Sequence, residues 1–380
     1  MRFAHRFALF AAALVFSLCA AEFPTLAIGS PAPDFSLPGV DGKTYSLKDF
    51  AAAKFLLVAF ISNHCPESQA YEDRLIKFTN DYKDKGVAVV AINPNSPKGV
   101  RLDELGYTDL DDTFESMKIR AAYKKFNFPY LDDGATEEAS KLYGPRVTPH
   151  YFLFDSERKL RFCGRMDDNN REEFVKVHDL RNAIDALLEG KEIAVKTTPT
   201  AGCSTKWAGK EKEVKAWMDK VAAEPVTVDL IDADGLKALR KNEGSGKLRL
   251  VDFWDTGCGP CIIEMPELVK INLSFRHRAF EFITVATNKP DEKPDVTTVL
   301  TKKHASNKNY LFGDVDGYKL RAVFDPDWDA SNPYTVLIGA KGEILYKANG
   351  PIDPIELKRA IVKALKELNN GAVMDPPKKK

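Results

Sequence analysis

Continuous apolar runs alternate with amphipathic segments along the whole chain. An apolar run of six to eight residues predicts a strand buried on both faces, and apolar positions every three or four residues predict a helix. In the first half the predicted elements are strands at 54–62 and 87–93, a hairpin within 148–164, and helices at 67–83, 109–126, 137–143 and 171–188. The pattern predicts an α/β unit.

The second half repeats this order. Its predicted elements are strands at 247–254 and 280–287, a hairpin within 332–348, and helices at 260–275, 296–304 and 354–368. The repetition predicts two α/β units in tandem, each with a central mixed sheet flanked by helices. The polar stretch 196–207 and the charged helix predicted at 210–221 mark the joint. We therefore predict domains at 22–207 and 208–370, and a disordered tail at 371–380.

The N-terminus has the pattern of a secretory signal. Arg2 and Arg6 precede an apolar run at 7–19, and small residues follow it. A membrane anchor is an alternative, but the run is shorter than the roughly 20 residues that a spanning helix needs. Another alternative is a lipoprotein in which Cys19 carries the lipid. We predict a signal peptide at 1–21 and export to the periplasm or cell envelope, with membrane attachment only through lipidation or a retained signal.

Composition narrows the classes of function. Hydrophobic residues make up 44% and charged residues 29%, which fits globular domains, and 55 basic residues balance 55 acidic ones. This balance gives no indication of a nucleic-acid partner. The six histidines are scattered, and we expect no metal and no other cofactor. Once Cys19 is lost with the signal, five cysteines remain, an odd number that argues against a purely structural set of disulfides.

Cys258 and Cys261 lie between a predicted strand and a predicted helix, with Gly259 and Pro260 between them. A helix N-terminus stabilises a thiolate at Cys258, and the spacing places Cys261 one turn further on, where it can attack a mixed disulfide. Zinc binding and a static structural disulfide are alternatives. Zinc usually needs a second pair of ligands, and so short a loop adds little stability.

The segment WDTGCGPCIIEMPEL, residues 254–268, resembles the motif of exported thioredoxin-fold thiol-disulfide reductases of the TlpA/ResA type. The resemblance implies that Asp252 takes part in proton transfer and that Glu264 modulates the thiol pKa. It also implies that Pro333 is a cis-proline which, with Asn332, borders the groove for an extended substrate. Gly257 departs from the aromatic residue usual before the first cysteine.

In the first half, Cys65 occupies the position equivalent to Cys258, but the position three residues later is Ser68. The helix N-terminus and His64 favour a thiolate at Cys65. Three roles are open. Cys65 reacts with peroxide and is resolved by Cys163 or Cys203, it forms mixed disulfides with other thiols, or it is an inert buried thiol.

The first half resembles the redoxin or peroxiredoxin-like (AhpC/TSA-like) branch of the thioredoxin fold, through segments such as NHCPESQAYEDRL and YGPRVTP and the tail GCSTKW. The resemblance implies that Thr148 and Pro149 form a cis-proline loop facing Cys65. It also makes Cys203 the first choice as the partner of Cys65, whereas Cys163 is favoured as a packed core thiol.

Together these features predict an exported thiol-disulfide oxidoreductase that reduces protein disulfides through Cys258 and Cys261. Its partners would be protein thiols and disulfides and a membrane electron donor. One alternative is a thiol-dependent peroxidase that uses Cys65. Another is a first domain that only binds clients while the second domain carries the catalysis.

Overall fold

The computed structural model of the chain describes residues 23–313 and 316–369. The predicted signal peptide, Cys19 and the predicted C-terminal tail lie outside the described residues.

The first unit is built around a five-stranded sheet with the order β5-β4-β3-β7-β8. Its strands are β1 (Ser36–Pro38), β2 (Thr44–Ser46), β3 (Phe55–Phe60), β4 (Val87–Asn93), β5 (Tyr130–Asp132), β6 (Val147–Thr148), β7 (His150–Phe154), β8 (Leu160–Gly164) and β9 (Cys203–Ser204). Its helices are α1 (Pro66–Tyr82), α2 (Phe114–Lys124), α3 (Glu138–Tyr143) and α4 (Asp179–Leu188). The apolar strand β3 lies in the middle, parallel to β4 and antiparallel to β7.

The second unit has a six-stranded sheet with the order β10-β13-β12-β11-β14-β15. Its strands are β10 (Asp229–Ile231), β11 (Leu248–Trp254), β12 (Phe280–Ala286), β13 (Lys308–Phe312), β14 (Tyr334–Ile338) and β15 (Ile344–Asn349). Its helices are α5 (Glu211–Ala222), α6 (Ala233–Lys241), α7 (Gly259–Phe275), α8 (Lys293–Lys302), α9 (Gly317–Phe324) and α10 (Pro354–Leu368). As in the first unit, the central strand β11 is parallel to one neighbour, β12, and antiparallel to the other, β14.

Each sheet has an apolar core on both faces. In the first unit, Leu75 and Phe78 of α1 pack against one face, and Phe152 and Cys163 belong to the cluster on the other. In the second unit, α7 packs on one face of β11. Burial of both faces explains why the central strands are continuously apolar. The predicted fold class, an α/β protein with two thioredoxin-like folds in tandem, is confirmed.

Two predicted helices are shorter in the structure. The helix predicted at 109–126 begins only at Phe114, because Thr113 caps its N-terminus and the residues before it form a loop. The helix predicted at 171–188 begins at Asp179, because Asp168 holds a turn through bonds with the backbone of Lys176 and Val177. The prediction also lacked β10, α6, β13 and α9.

A loop of the first unit, residues 100–113, lies against the second unit. The Arg278 guanidinium donates to the Gly106 carbonyl at 2.7 Å, and Arg359 pairs with Asp109 at 2.9 Å. A side chain at Gly106 would place a Cβ 2.5 Å from the Ser274 carbonyl oxygen, so this close approach requires glycine. Ser274 lies about 24 Å along the axis of α7 from Cys258, and Leu102 of the loop packs on the apolar cluster of α7 nearer to that cysteine.

Among the residues that the structure describes, no helix combines the length and the apolar character needed to cross a membrane.

Candidate functional site

Cys258 and Cys261 form a disulfide at the N-terminus of α7. Cys258 is the N-cap residue and is half-buried, whereas Cys261 has no exposed surface. The backbone amide of Cys261 donates to the Cys258 sulfur at 3.3 Å. Gly259 and Pro260 between them are exposed, and so is Gly257 in front. One sulfur can therefore be reached by another molecule, and the other is protected.

Asp252 lies in the middle of β11, between Thr284 of β12 and Thr335 of β14. Its side chain faces the same side of the sheet as that of Trp254, which packs with Cys261. One carboxyl oxygen accepts a bond from the Thr335 hydroxyl at 3.0 Å, and the other has no hydrogen-bond partner. Complete burial, together with the negative charge of Glu264, raises the pKa of Asp252 to about 8.

Glu264 lies one turn beyond Cys261 on α7 and is nearly buried. One of its carboxyl oxygens accepts the Ile352 amide at 3.0 Å, and the other has no partner. Burial raises the pKa of Glu264 above its usual range. Two carboxyl groups with raised pKa values thus lie on β11 and α7, the two elements that join at the disulfide.

The loop that contains Asn332 and Pro333 is tied to the end of β11. The peptide bond between these two residues is cis. The Asn332 amide donates to the Thr287 hydroxyl at 2.7 Å, and the Thr287 backbone amide donates to the Trp254 carbonyl at 2.8 Å. The loop is therefore held at the same end of the sheet as the cysteines.

Cys65 is the N-cap residue of α1 and has no exposed surface. Its thiol donates to the Thr148 carbonyl at 2.9 Å, and the peptide bond from Thr148 to Pro149 is cis. The strand β9 pairs antiparallel with β6, which sets Cys203 opposite Thr148. The backbone amide of Cys203 donates to the Cys65 sulfur at 3.3 Å. The structure thus brings Cys203 to Cys65 and covers Cys65 with the tail.

Glycine at position 202 makes this contact possible. Gly202 has a φ of +150°, and a Cβ there would lie 2.0 Å from the Thr148 carbonyl oxygen. The tail beyond Cys203 is also held, because the Lys206 amide donates to the Asn95 side chain at 2.8 Å and the Thr205 hydroxyl donates to the Pro145 carbonyl at 2.6 Å.

The surroundings of Cys65 favour its thiolate. Burial alone would raise the pKa of Cys65, but the hydrogen bond from Cys203 and the positive charge of His64 outweigh it and lower the pKa to about 6. The bond to Cys65, together with burial, raises the pKa of Cys203 well above its usual value. The proton of the pair therefore stays on Cys203.

Cys163 lies apart from this pair. It is buried on the face of the sheet opposite α1, and its sulfur lies 3.2 Å from His150 Nε2. Burial raises the pKa of Cys163 to about 12 and lowers that of His150 to about 4. Both groups are therefore neutral, and Cys163 has the environment of a core thiol.

Comparison with known proteins agrees with this thiol chemistry. Residues 28–163 match the model of the AhpC/TSA family. The thiol-disulfide oxidoreductase ResA of Bacillus thuringiensis subsp. konkukian (strain 97-27) is 27% identical over 152 residues, which cover 39% of this chain and 77% of that protein. The chain is a thiol-disulfide oxidoreductase with a redoxin domain.

Two solved structures resemble this oxidoreductase in sequence. A hypothetical protein from Sinorhizobium meliloti 1021 is 37% identical, with a TM-score of 0.43, over 48% of this chain and 96% of that one. An uncharacterized conserved protein from Geobacillus kaustophilus is 36% identical, also with a TM-score of 0.43, over 48% of this chain and 92% of that one.

Sequence reasoning missed several residues of the oxidoreductase's two sites. Asp112 and Asn95 contact His64, Thr335 binds Asp252, and Gly202 lets the tail approach Thr148. Asp112 follows His64 by 48 residues, and no spacing rule connects positions so far apart. Within residues 23–313 and 316–369, no three His, Cys, Asp or Glu side chains are grouped so that they could hold a metal ion.

Proposed function

We propose that the protein reduces disulfides of other proteins through Cys258 and Cys261. The observation that carries this proposal is the accessible Cys258 at a helix N-terminus, bonded to a buried Cys261 on the side of the sheet that the Asp252 carboxyl group faces. An accessible thiolate starts the exchange with a client, and a protected second thiol ends it without reacting elsewhere.

The exchange has two steps. In the reduced protein the Cys258 thiolate attacks one sulfur of a client disulfide, a mixed disulfide forms, and the other client sulfur leaves and takes up a proton. Cys261 then passes its proton to Asp252 and attacks the Cys258 sulfur. The second client sulfur leaves, and the Cys258–Cys261 disulfide observed in the structure results. Two electrons have passed from the protein to the client.

Asp252 suits the role of proton acceptor. A carboxyl group whose pKa lies near neutral pH both accepts and releases protons under working conditions. The free oxygen of Asp252 has no hydrogen-bond partner that competes for the proton. The raised pKa of Glu264 makes it a modulator of the same proton balance.

The residues between the two cysteines support the proposed direction of electron flow. Gly-Pro at this position favours a reducing pair in the range of thioredoxin, about -270 mV. The N-terminal pattern supports export to the periplasm or cell envelope, where a reductase needs electrons from a membrane donor. We place the functional boundary at 207/208, after the tail that covers Cys65.

The pair Cys65 and Cys203 supports a second dithiol centre in the first domain. A buried thiolate that receives a hydrogen bond from the adjacent cysteine is arranged for disulfide formation with that cysteine. The lowered pKa also suits the alternative reaction with peroxide, in which Cys203 would resolve a sulfenic acid at Cys65. A fast oxidation of Cys65 by hydrogen peroxide in stopped flow would select the peroxidase.

Trapping the mixed disulfide tests the main proposal. Cys261→Ser leaves the attacking thiol and removes the resolving one. When the reduced variant is incubated with insulin, a covalent adduct at Cys258 should therefore accumulate. Cys163→Ser is the matched control and should accumulate none. Absence of an adduct with Cys261→Ser, or an adduct attached at Cys65, would refute the assignment.

A further inference from the structure

Asp112 is a buried carboxylate that contacts only groups around Cys65. It is 1% exposed and accepts the backbone amides of Asn63 and His64 at 2.7 and 3.2 Å, the Asn95 side-chain amide at 2.9 Å, and His64 Nδ1 at 2.5 Å. Four donors on one buried carboxyl indicate that it is ionised. A buried anion of this kind needs a cation close by.

The loop that carries Asp112 is fixed from both sides. The Asn63 side chain donates to the Asp111 carbonyl at 2.7 Å, and the Thr108 hydroxyl donates to the Asn63 carbonyl at 3.1 Å. From the second unit, Arg359 pairs with Asp109 in the same loop. The carboxyl of Asp112 therefore has little freedom to move away from His64.

His64 supplies the positive charge that compensates the Asp112 carboxylate. Its ring is buried, Nδ1 points to Asp112, and Nε2 has no hydrogen-bond partner. Burial alone would lower the pKa of His64, but the charge of Asp112 outweighs this and raises it. His64 directly precedes Cys65, and its positive charge lowers the pKa of the Cys65 thiol.

Formation of the Cys65 thiolate requires a nearby positive charge, because the protonated thiol is stabilised as well. The Cys65 thiol donates to the Thr148 carbonyl at 2.9 Å, and that bond is lost when the proton leaves. The other titratable groups that interact with this cluster are Lys206, Glu104, Glu67, Cys203, Tyr130, Asp132 and Tyr151. Lys206 forms an ion pair with Glu104 at 2.5 Å. The positive charge that acts on Cys65 therefore comes from His64, whose acidic partner is Asp112.

We infer that Asp112 is a positioning residue that holds His64 as an imidazolium beside Cys65 and so maintains the Cys65 thiolate. Asp112 touches neither the sulfur nor a client and acts through His64. The inference rests on the proposed function only in giving Cys65 a chemical role, because it concerns the ionisation of the first domain and not turnover at Cys258.

The test is the pH at which Cys65 ionises in Asp112→Asn, measured as the thiolate absorbance near 240 nm after subtraction of the corresponding Cys65→Ser protein. Asp112→Asn removes the negative charge 2.5 Å from His64 Nδ1 and so disfavours the imidazolium. Loss of a nearby opposite charge shifts the pKa of an ionisable group by about one unit or more. The midpoint should therefore rise by about one pH unit or more in Asp112→Asn. The matched control is Asp111→Asn, whose side chain caps Thr113 and should leave the midpoint unchanged.

Equal midpoints for Asp112→Asn and the wild type would overturn the inference. A measurement on the unmodified protein decides the matter even where the variant fails to fold. Nitrogen-15 NMR of the His64 ring, assigned with His64→Gln, should show both ring nitrogens protonated at neutral pH. A neutral His64 ring at that pH would equally overturn the inference. Reduction of insulin through Cys258 enters neither measurement, so failure here is distinct from failure of the proposed function.

Discussion

The backbone amide of Cys203 donates to the sulfur of Cys65 at 3.3 Å, although 138 residues separate them in the chain. The contact depends on two backbone features, the pairing of β9 with β6 and the absence of a side chain at Gly202. The tail therefore acts as a cover over Cys65, and it supplies the thiol with which Cys65 can pair.

Gly202→Ala should detach this cover. The new Cβ would meet the Thr148 carbonyl oxygen at 2.0 Å, and only displacement of the tail relieves the overlap. We expect the alkylation rate of Cys65, followed by mass spectrometry of its peptide, to rise by about tenfold or more, as a buried thiol becomes accessible.

The matched control for this change is Gly190→Ala. Gly190 also has a positive φ, +71°, but a Cβ there meets no atom within 4 Å, so its strain is local. It should leave the alkylation rate of Cys65 as in the wild type. Equal rates in Gly202→Ala and Gly190→Ala would mean that the tail does not protect Cys65.

Mild oxidation should link Cys65 to Cys203. With diamide as the two-electron acceptor, the two thiols lose their protons and form a disulfide, because the Cys203 backbone already bonds the Cys65 sulfur at 3.3 Å. Peptide mapping should find this disulfide and leave Cys163, buried on the opposite face, as a free thiol. A disulfide between Cys65 and Cys163 would contradict the assignment of the partner.

Much of this arrangement could be predicted from the sequence. The apolar runs at β3 and β11 gave the central strands, and the cysteines just before α1 and α7 follow from the strand-to-helix junction. The short strand β10, with two of its three residues exposed, has no such signal. Asp112 could not be foreseen either, because its role arises from a loop that replaces the first turn of a predicted helix.

Asp252→Asn should change how stability depends on pH. In the folded, oxidised protein Asp252 keeps its proton up to about pH 8, whereas in the unfolded chain it loses it near about pH 4. Between these values the folded state binds one more proton than the unfolded state, so the wild type loses stability as pH rises. Asparagine does not titrate. Relative to the wild type, the variant should therefore gain up to about 1.4 kcal/mol in unfolding free energy per pH unit.

Urea unfolding at about pH 5, 6 and 7 measures this gain. Asp234→Asn serves as control, because the Asp234 side chain is 90% exposed and its loss should leave the pH dependence unchanged. Parallel stability curves for Asp252→Asn and the wild type would contradict the raised pKa of Asp252, on which its role as the proton acceptor for Cys261 rests.

The most direct test of the central claim is the rate of insulin reduction with dithiothreitol as the electron source, compared among the wild type, Cys258→Ser and Cys65→Ser. The account predicts that Cys258→Ser falls to the rate of dithiothreitol alone, because the attacking thiol is gone. It predicts that Cys65→Ser stays close to the wild type, because among the described residues the Cys65 sulfur bonds only within its own domain, to Thr148 and Cys203. A Cys258→Ser protein that reduces insulin as fast as the wild type would contradict it.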